Sequence, residues 1–595
     1  MGQGSIERLA RMSAAIVATG IVALALAPFA NAKGTAFIAG GLEVDAETIG
    51  ADGGLTPIPP AAPTGAIGAA RGVAVTPDAK HVYVAGAGGA VAALNVSASG
   101  SLSAVAGSPF ATGGANFTRG IAITPDGKYL YASDENGGAG AISIFSVNAD
   151  GTLTQVGANV SVSNSPEGLA VSPNGQFLFV AASPTDKVST YAISATGTIS
   201  AVGTPAATGT APNGIAVTPS GAFLYVSNSG TNSVSAFAVA ADGTLTSLGT
   251  PTPTGGNGPE TLAVTPDGRF VYTADFGTDK VSALAIATDG TLSAVPGQPF
   301  TSVIAPYGVD AAPNGAVYSA SFDAVNPSKV NGYTVQADGS LVNIPNSPFT
   351  SQVKSAEFQS VAATPNQGPS AALTATPAAS GQPTTFDAAG SADTDGGTVA
   401  RYDWDFGDGQ TLPNGGPSPS HVYAQPGPYV AAVTVTDNEG CSTTVIFTGQ
   451  TADCNGSAAA RAETSVQVPP GAVVLKLSGK RTQPLDAAIE VGARCSVACT
   501  ATASGRLIVT TPRGKRATSA AVASRRTFKI KKVSKDLQAG KRATLRLRLS
   551  KRARKAATKA LARHGSVIAK IKVTATSASG VSTTARRKVK LVKRR

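Results

Sequence analysis

The segment RGIAITPDGKYLYAS, Arg119 to Ser133, recurs with changes along the chain before Pro369. The last copy is truncated and reads QSVAATPNQG from Gln359. Each copy is marked by one proline: Pro77, Pro125, Pro173, Pro219, Pro266, Pro313 and Pro365. Successive prolines are 46 to 52 residues apart. A strand-rich repeat of this period is typical of a β-propeller, so the sequence predicts seven blades.

Each copy contains the strands and turns of a four-stranded blade. An alternating G-x-A-x-T strand leads into a Pro-Asp-Gly or Pro-Asn-Gly turn, in which Pro presets φ and Gly accepts a positive φ. A second turn, A-D-G-T-L or a variant of it, precedes a short outer strand. Its glycine also occurs seven times: Gly53, Gly100, Gly151, Gly197, Gly243, Gly290 and Gly339. Two independent markers therefore give the same blade count.

The two ends of the repeat array complement each other. The truncated copy supplies only a first strand, near Pro365, whereas GTAFIAG from Gly34 and LEVDAETI from Leu42 have no first strand before them. Joining the two would complete one blade and leave no exposed sheet edge. We therefore predict a closed seven-bladed propeller over residues 33–366, with the last blade formed from both ends.

Residues 367–469 contain YDWDFGDGQT from Tyr402 and HVYAQPGPYVAAVTVTDNEG from His421. At these residues the chain resembles the PKD family, which implies an immunoglobulin-like β-sandwich acting as a spacer or binding module. Trp404 is the only tryptophan and is expected in the core. Alternation predicts one buried face carrying Tyr429, Ala431, Val433 and Val435. The carboxylates of this stretch suggest either a cation site or, as we favour, hydrogen bonding in turns: Asp403, Asp405 and Asp408.

Residues 470–595 form a basic domain. From Gly471 onward there are 33 Lys and Arg against three acidic residues, a charge of +30, whereas the rest of the chain carries −18. Strands that alternate apolar and basic residues predict a half-buried sheet with a cationic outer face. One short helix is expected between Ser550 as N-cap and Gly565 as C′ residue. The predicted fold class is thus all-β: propeller, PKD-like sandwich, and a basic β-sandwich-like C-terminal domain with one short helix.

The basic domain would attract a polyanion such as a cell-envelope polymer, anionic lipid head groups or extracellular DNA. Base stacking is disfavoured because Phe528 is its only aromatic residue. The alternative is a charged face that serves solubility alone. We expect a monomer that also binds an unknown protein or saccharide through the propeller and the PKD-like domain.

Export is predicted from residues 1–32. Arg8 and Arg11 precede the apolar run 14–29, and Ala30-Asn31-Ala32 forms a cleavage site. An uncleaved anchor is the alternative; either way the protein would be secreted or held at the cell surface. In an exported chain the four cysteines are expected to form two local disulfides, Cys441–Cys454 and Cys495–Cys499, with zinc binding as the alternative.

The column just before each first strand is polar and varied, whereas the neighbouring columns are nearly constant. It contains Arg71, Arg119, Glu167, Asn213, Glu260, Tyr307 and Gln359. First strands line the channel of a propeller, so these side chains should surround one mouth and form a ligand-binding site. The alternative is that these side chains only form hydrogen bonds with backbone groups at the strand ends and with water.

The repeats also resemble lactonase-type seven-bladed propellers and YVTN-repeat surface proteins, through the G-x-A-x-T-P-D-G unit and the A-D-G-T-L turn. That family includes 6-phosphogluconolactonases, which implies lactone hydrolysis. The Pro-Arg-His run of those enzymes is absent, and His81, the one histidine in the ring, is expected to be a surface or packing residue. A base would have to be Glu167 or Glu260, with Arg71 and Arg119 holding an anionic group.

We therefore favour an exported, non-catalytic binding or cell-surface interaction protein, with a secreted lactonase-like hydrolase as the alternative. We expect no cofactor and no metal. The alternative on that point is a divalent cation held by oxygen atoms of Glu167, Asn213 and Glu260.

Overall fold

The computed structural model describes residues 34–113, 117–136, 139–162, 165–450, 452–512 and 523–594. The predicted signal peptide lies outside the described residues. Within these ranges no helix is long and apolar enough to cross a bilayer. The chain forms two compact units. The first runs to Gln367 and includes Asp395–Thr398 and Thr444–Asn455; the second comprises Gly368–Thr394, Val399–Thr443 and Gly456–Arg595.

In its described residues the first unit contains seven antiparallel sheets of four or five strands, numbered here as blades 1 to 7 in chain order. Blade 1 contains Gly34–Gly40, Glu43–Ile49, Leu55–Pro57, Ala62–Pro63 and Val361–Ala363; blade 2 contains Ala70–Val75, His81–Gly86, Ala90–Val96, Leu102–Ala104 and Phe110–Ala111. Blade 3 contains Phe117–Ile123, Tyr129–Asn136, Ala139–Val147, Leu153–Gln155 and Val160–Ser161; blade 4 contains Pro166–Val171, Phe177–Ala182, Lys187–Ile193 and Ile199–Ala207. Blade 5 contains Pro212–Val217, Phe223–Asn228, Ser233–Val239, Leu245–Ser247 and Thr252–Pro253; blade 6 contains Pro259–Val264, Phe270–Asp275, Lys280–Ile286, Leu292–Ala294 and Phe300–Thr301. Blade 7 contains Pro306–Ala311, Ala316–Ser321, Lys329–Val335, Leu341–Asn343 and Phe349–Thr350.

Blade 1 joins strands from both ends of the ring. Gly34–Gly40 pairs antiparallel with Val361–Ala363, and Phe37 lies opposite Ala362. Flanking bonds extend the ladder: the Ala39 N–H donates to the Ser360 carbonyl at 2.9 Å, and the Thr364 N–H donates to the Thr35 carbonyl at 2.8 Å. The innermost position of blade 1 is therefore filled by the last strand of the ring.

The tyrosine and the turn glycine of the repeat meet between neighbouring blades. A tyrosine hydroxyl on the second strand of one blade donates to the carbonyl of the turn glycine in the next, at 2.7–2.9 Å. The pairs are Tyr83–Gly151, Tyr131–Gly197, Tyr225–Gly290, Tyr272–Gly339 and, across the closure, Tyr318–Gly53. These glycines have φ between +78° and +85°, a conformation that strongly favours glycine. Five of the seven blades thus use this tyrosine and glycine to hold the next blade.

The PKD-like sandwich has two sheets in the second unit. One contains Thr374–Thr376, Pro383–Asp387 and Ser420–Val422; the other contains Val399–Asp405, Thr411–Leu412, Gly427–Asp437 and Arg461–Val468. As predicted, Trp404 is in the core, 2% exposed, and its Nε1–H donates to the Gly416 carbonyl at 2.9 Å. On the predicted face Ala431, Val433 and Val435 are buried, and Tyr429 is half-buried.

The basic domain also has two sheets, which enclose one hydrophobic core. The three-stranded sheet contains Leu475–Ser478, Ala488–Cys495 and Arg542–Arg548; the five-stranded sheet contains Thr482–Pro484, Cys499–Thr511, Ser524–Leu537, Ser566–Ser577 and Ser582–Val592. Thr482–Pro484 pairs parallel with Ser582–Val592, unlike the other strand pairs of these sheets. Two short 3-10 helices elsewhere span Ser183–Thr185 and Ala458–Ala460.

The predicted helix spans Lys551–Ala562, and its Ala553, Ala557 and Ala560 are buried. Ser550 is the N-cap as predicted, because its hydroxyl accepts a bond from the Ala553 N–H at 3.1 Å. The expected C′ position is wrong by one residue. His564 rather than Gly565 adopts the left-handed conformation, with φ +58°, while the Gly565 N–H returns to the Ala560 carbonyl at 2.8 Å.

Disulfides are present, as predicted, at all four cysteines. Cys495 and Cys499 are bonded, with Cα atoms 6.5 Å apart. Cys441 and Cys454 are also disulfide-bonded, and no cysteine of the chain remains free. None of the four cysteines is therefore available as a thiolate ligand for zinc.

Candidate functional site

The seven predicted site residues all lie at the same end of the inner strands. Five of them are the second residue of their strand: Arg71, Glu167, Asn213, Glu260 and Tyr307. Arg119 is the third residue of its strand, and Gln359 precedes Val361–Ala363 by two positions. They thus surround one end of the central channel, which we call the channel mouth.

Glycines that follow these residues bring neighbouring inner strands together. A Cβ on Gly120 would overlap the Glu167 carbonyl oxygen, and one on Gly168 would overlap that of Asn213. Thr261 takes the equivalent position in blade 6, and its hydroxyl donates to the Tyr307 carbonyl at 2.7 Å. In blades 3 and 4 the repeated glycine therefore reflects a backbone approach that leaves no room for a side chain.

Both arginines of the mouth are paired with carboxylates. Arg119 Nη1 lies 2.7 Å from Glu167 Oε2, and its Nε lies 3.6 Å from Glu135 Oε2. Arg71 Nη2 lies 3.0 Å from Glu357 Oε2. Burial raises the pKa of Glu167, and the charge of Arg119 opposes that rise. The positive charges of the mouth are already neutralised within the protein.

Glu260 and Asn213 form a second contact between neighbouring blades. The Asn213 amide donates to Glu260 Oε2 at 2.6 Å and to the Ser229 hydroxyl at 3.2 Å. Burial raises the pKa of Glu260 to about 7, although the hydrogen bond from Asn213 acts to lower that pKa. Glu167 is engaged by Arg119 instead, so the three residues considered for a divalent cation do not share one cluster of contacts.

The remaining mouth residues lie on blades 7 and 1. The Tyr307 ring contacts Phe276 edge-on, with centroids 5.2 Å apart, and Phe322 lies 6.4 Å from both rings. Gln359 is only 5% exposed, and neither polar atom of its amide has a hydrogen-bond partner in the described structure. A buried unpaired amide is costly, so a ligand or water that bonds it would be stabilised.

The sequence reasoning missed further mouth residues. Four of them lie at the end of the second strand of their blade or directly after it, 15 or 16 positions after the site residue of the same blade: Glu135, Ser229, Phe276 and Phe322. The alignment that identified the first column contains this second varied column as well. Glu357 precedes the truncated copy, and no repeat signal marks it.

The opposite end of the channel is covered by the hairpin of strands Ile446–Phe447 and Ala452–Cys454, which belongs to the first unit. Its turn bonds the last residues of two inner strands. The Val171 N–H donates to the Gly449 carbonyl at 2.7 Å, and the Val217 N–H donates to the Thr448 carbonyl at 3.2 Å. The Asn366 N–H, after the last strand of the ring, donates to the Asp453 carbonyl at 2.9 Å. The hairpin thus crosses from blades 4 and 5 to blade 1, about 15 Å from the mouth.

Two carboxyl groups lie at this end of the channel: Asp453 on the hairpin itself and Asp310 on the inner strand of blade 7. Burial raises the pKa of Asp310 to about 6. Burial, followed by the charge of Asp310, raises the pKa of Asp453 well above its usual range. Protonation of Asp453 would lower the cost of burying it close to the charge of Asp310.

Replacing Gly449 by alanine is expected to displace the hairpin. Gly449 has φ +104°, and a Cβ there would lie 2.8 Å from Ala170 Cβ and 3.0 Å from Val217 Cγ1. Strain and overlap together should cost roughly 2–4 kcal/mol. Amide hydrogen exchange at Val171 and Val217 should therefore accelerate. Gly440→Ala is the matched control, because Gly440 has φ +94° but no atom within 4 Å of the added Cβ; equal acceleration in both variants would contradict the docking role.

Other polar candidates have structural partners. His81 is 8% exposed and packs against Gly151, in agreement with the packing role expected for it. Asp405 accepts a bond from the Gly407 N–H, and Asp408 accepts bonds from the Gln410 N–H and His421 Nε2. Asp403 is paired with Arg401 at 2.7 Å.

Carboxylate oxygens of Asp393, Asp437 and Glu439 come within 4.8 Å of one another, and burial raises the pKa of Glu439 to about 7.

Comparison with known proteins supports both resemblances. Residues 47–212 and 198–302 match the family model "Lactonase, 7-bladed beta-propeller", and residues 366–451 match the PKD domain model. No curated protein matches the chain.

Among solved structures, a putative 6-phosphogluconolactonase from Bacteroides uniformis is 18% identical (TM-score 0.48), over 56% of this chain and 100% of that one. The periplasmic gluconolactonase of Pseudomonas aeruginosa is 19% identical (TM-score 0.47), over 56% and 99%. A putative 6-phosphogluconolactonase from Bacteroides fragilis is 18% identical (TM-score 0.46), over 56% and 98%. The family models confirm the predicted resemblance of the ring to lactonase-type propellers and of the following module to PKD domains.

Proposed function

We propose that the protein is an extracytoplasmic, non-catalytic binding protein whose channel mouth holds a small, uncharged, polyhydroxylated ligand. The buried, unpaired amide of Gln359 carries this proposal. A buried amide without partners loses free energy unless a bound group supplies a donor and an acceptor, as a sugar hydroxyl does.

The charges of the mouth favour a neutral ligand. Two guanidinium groups face four carboxyl groups there: Arg71 and Arg119, against Glu135, Glu167, Glu260 and Glu357. An anionic or phosphorylated ligand would have to displace a carboxylate from each arginine and would meet net negative charge. Phe276, Tyr307 and Phe322 add the apolar surface on which the C–H face of a sugar ring can pack.

Binding is tested with the full chain by calorimetry against glucose, maltose and cellobiose, with 6-phosphogluconate as the anionic probe. We expect at least one neutral sugar to bind and Gln359→Ala to weaken it roughly tenfold, because one hydrogen-bonded amide is lost. Gln336→Ala, at an exposed turn of blade 7, is the matched control. Tighter binding of 6-phosphogluconate than of every neutral sugar would overturn the assigned ligand class.

Lactone hydrolysis is the second candidate, favoured by the pKa of Glu260. A carboxyl group with a pKa of about 7, held by Asn213, would serve as a general base near neutral pH. Glu167 is the weaker candidate base because Arg119 occupies it. Under this alternative, hydrolysis of glucono-1,5-lactone should rise with pH through about 7 and disappear in Glu260→Gln. A hydrolysis rate equal to the uncatalysed rate in buffer alone would rule out the lactonase alternative.

Two features support the location and attachment in this proposal. Disulfides persist in oxidising compartments outside the cytoplasm. The basic domain, with its charge of +30, would attach the protein to an anionic polymer of the cell envelope. Such attachment should weaken as ionic strength rises, because salt screens exposed charges.

A further inference from the structure

The outer face of the five-stranded sheet in the basic domain carries an ordered row of cations. Arg506 lies directly opposite Lys529 on one neighbouring strand and opposite Lys570 on the other. Lys570 in turn lies opposite Lys588. We call these four residues the cationic row; all four are exposed. Neighbouring positions of the row are about 5 Å apart, because that is the spacing of paired strands.

Further cations extend the row along the strands. Lys572 lies opposite Arg586, two positions along the strands from Lys570 and Lys588 and on the same face. Lys590 lies two positions from Lys588 in the opposite direction along the strand, also on this face. None of the ion pairs found among the described residues involves any of these seven cations. The acidic residue on these strands, Asp536, accepts a bond from Thr500, six positions along the strand from Arg506, or about 20 Å.

This arrangement works against the stability of the sheet. Like charges that face each other across strands repel, and opposite charges would have supported the fold equally well. A surface that serves solubility alone is better made from interspersed signs. The aligned register therefore indicates a ligand that brings regularly spaced negative charge.

We propose that the cationic row binds a linear acidic polysaccharide, laid across the strands with its carboxylates along the row. Hydroxyl groups border the row and match a sugar polymer: Thr574 and Thr584 lie 3.1 Å apart, and Thr502 and Ser534 lie 2.8 Å apart. A nucleic acid is disfavoured because Phe528, the only aromatic residue of the domain, is half-buried against the core and offers no base a stacking surface. The proposal rests on the attachment role of the basic domain and not on the ligand of the channel mouth.

The test measures binding of the full chain to immobilised polygalacturonate, with fully methyl-esterified polygalacturonate as the uncharged matched polymer and oligo(dT) as the nucleic acid. The row variant R506Q/K570Q/K588Q is compared with K551Q/K555Q/K559Q, which removes the same charge from exposed positions of the helix. We expect polygalacturonate to bind in preference to both other polymers. The row variant should lose at least tenfold in affinity and show a weaker salt dependence, and the helix variant should lose less than twofold.

Equal losses in the two variants would overturn the row as the binding site while leaving the attachment role intact. Binding of neither anionic polymer would overturn both. Tighter binding of oligo(dT) than of polygalacturonate would replace the polysaccharide by a nucleic acid. The row variant should melt at or above the temperature of the unchanged protein, since repulsion is relieved; if it does not fold, Lys570→Gln against Lys555→Gln gives the same comparison.

Discussion

Proline in place of Ala362 should open the ring. Ala362 lies opposite Phe37, midway between the bonds that flank it at Ser360 and Thr364, so the alternation of an antiparallel ladder makes it a hydrogen-bonded position. Proline removes the donor and clashes in the innermost strand of blade 1, at a cost of about 3 kcal/mol or more. Because this strand holds the two ends of the ring together, we expect amide exchange to accelerate throughout Gly34–Gly40.

Ala362→Gly is the control, because it keeps the N–H and removes only one methyl group from a residue that is 2% exposed. Exchange in blade 4, on the far side of the ring, should change less than exchange in blade 1. If Ala362→Pro leaves the protection of Gly34–Gly40 unchanged, the closure is held by blade packing rather than by this strand.

Glutamine in place of Glu47 should stabilise the protein at alkaline pH. Glu47 is fully buried on the third strand of blade 1, Glu43–Ile49, and no donor in the described structure bonds either carboxylate oxygen. Burial, then the charge of the neighbouring Asp45, raises its pKa to about 8. The native state therefore keeps a proton that the unfolded chain releases near pH 4.5. The free energy of unfolding should fall as pH rises from about 4.5 to about 8, by roughly 2–5 kcal/mol from this group, and stay low above that range.

Chemical denaturation at pH 5, 7 and 9 checks this prediction. The advantage of Glu47→Gln over the unchanged protein should be small at pH 5 and largest at pH 9. Glu43→Gln on the same strand is the control, because Glu43 is exposed. Other buried carboxyls, such as Asp275 with a pKa of about 7, contribute a similar trend to both proteins, so the difference between the curves is what matters. Parallel curves for Glu47→Gln and the unchanged protein would contradict the buried, protonated state.

The propeller was predictable because its information is local and repeated. Every blade carries the turn glycine and five of the seven carry the tyrosine that contacts the neighbouring blade, so repetition averaged out the variation of any single copy. The same alignment located the residues of the channel mouth, since the position of a residue along an inner strand fixes its height in the channel. The C′ residue of the helix was missed by one position because His564 tolerates the left-handed conformation that was assigned to Gly565.

Contacts between distant residues were not predictable in this way. The pairing of Arg119 with Glu167 and of Arg71 with Glu357 depends on side-chain directions across different blades. It neutralises the two arginines that would hold an anionic group under the lactonase alternative. The hairpin Ile446–Cys454 gave no signal, because its sequence lies within the segment that resembles a PKD domain while its hydrogen bonds go to Val171 and Val217.

The amino-acid sequence thus specified the number of blades, the closure of the ring and the order of the residues around its mouth, because periodic contacts between neighbours repeat in the chain. The folded molecule specified which of those residues neutralise each other, that Gln359 stays unpaired, and that one end of the channel is covered. These properties depend on atoms brought together from positions tens to hundreds of residues apart, for which the chain contains no repeated pattern.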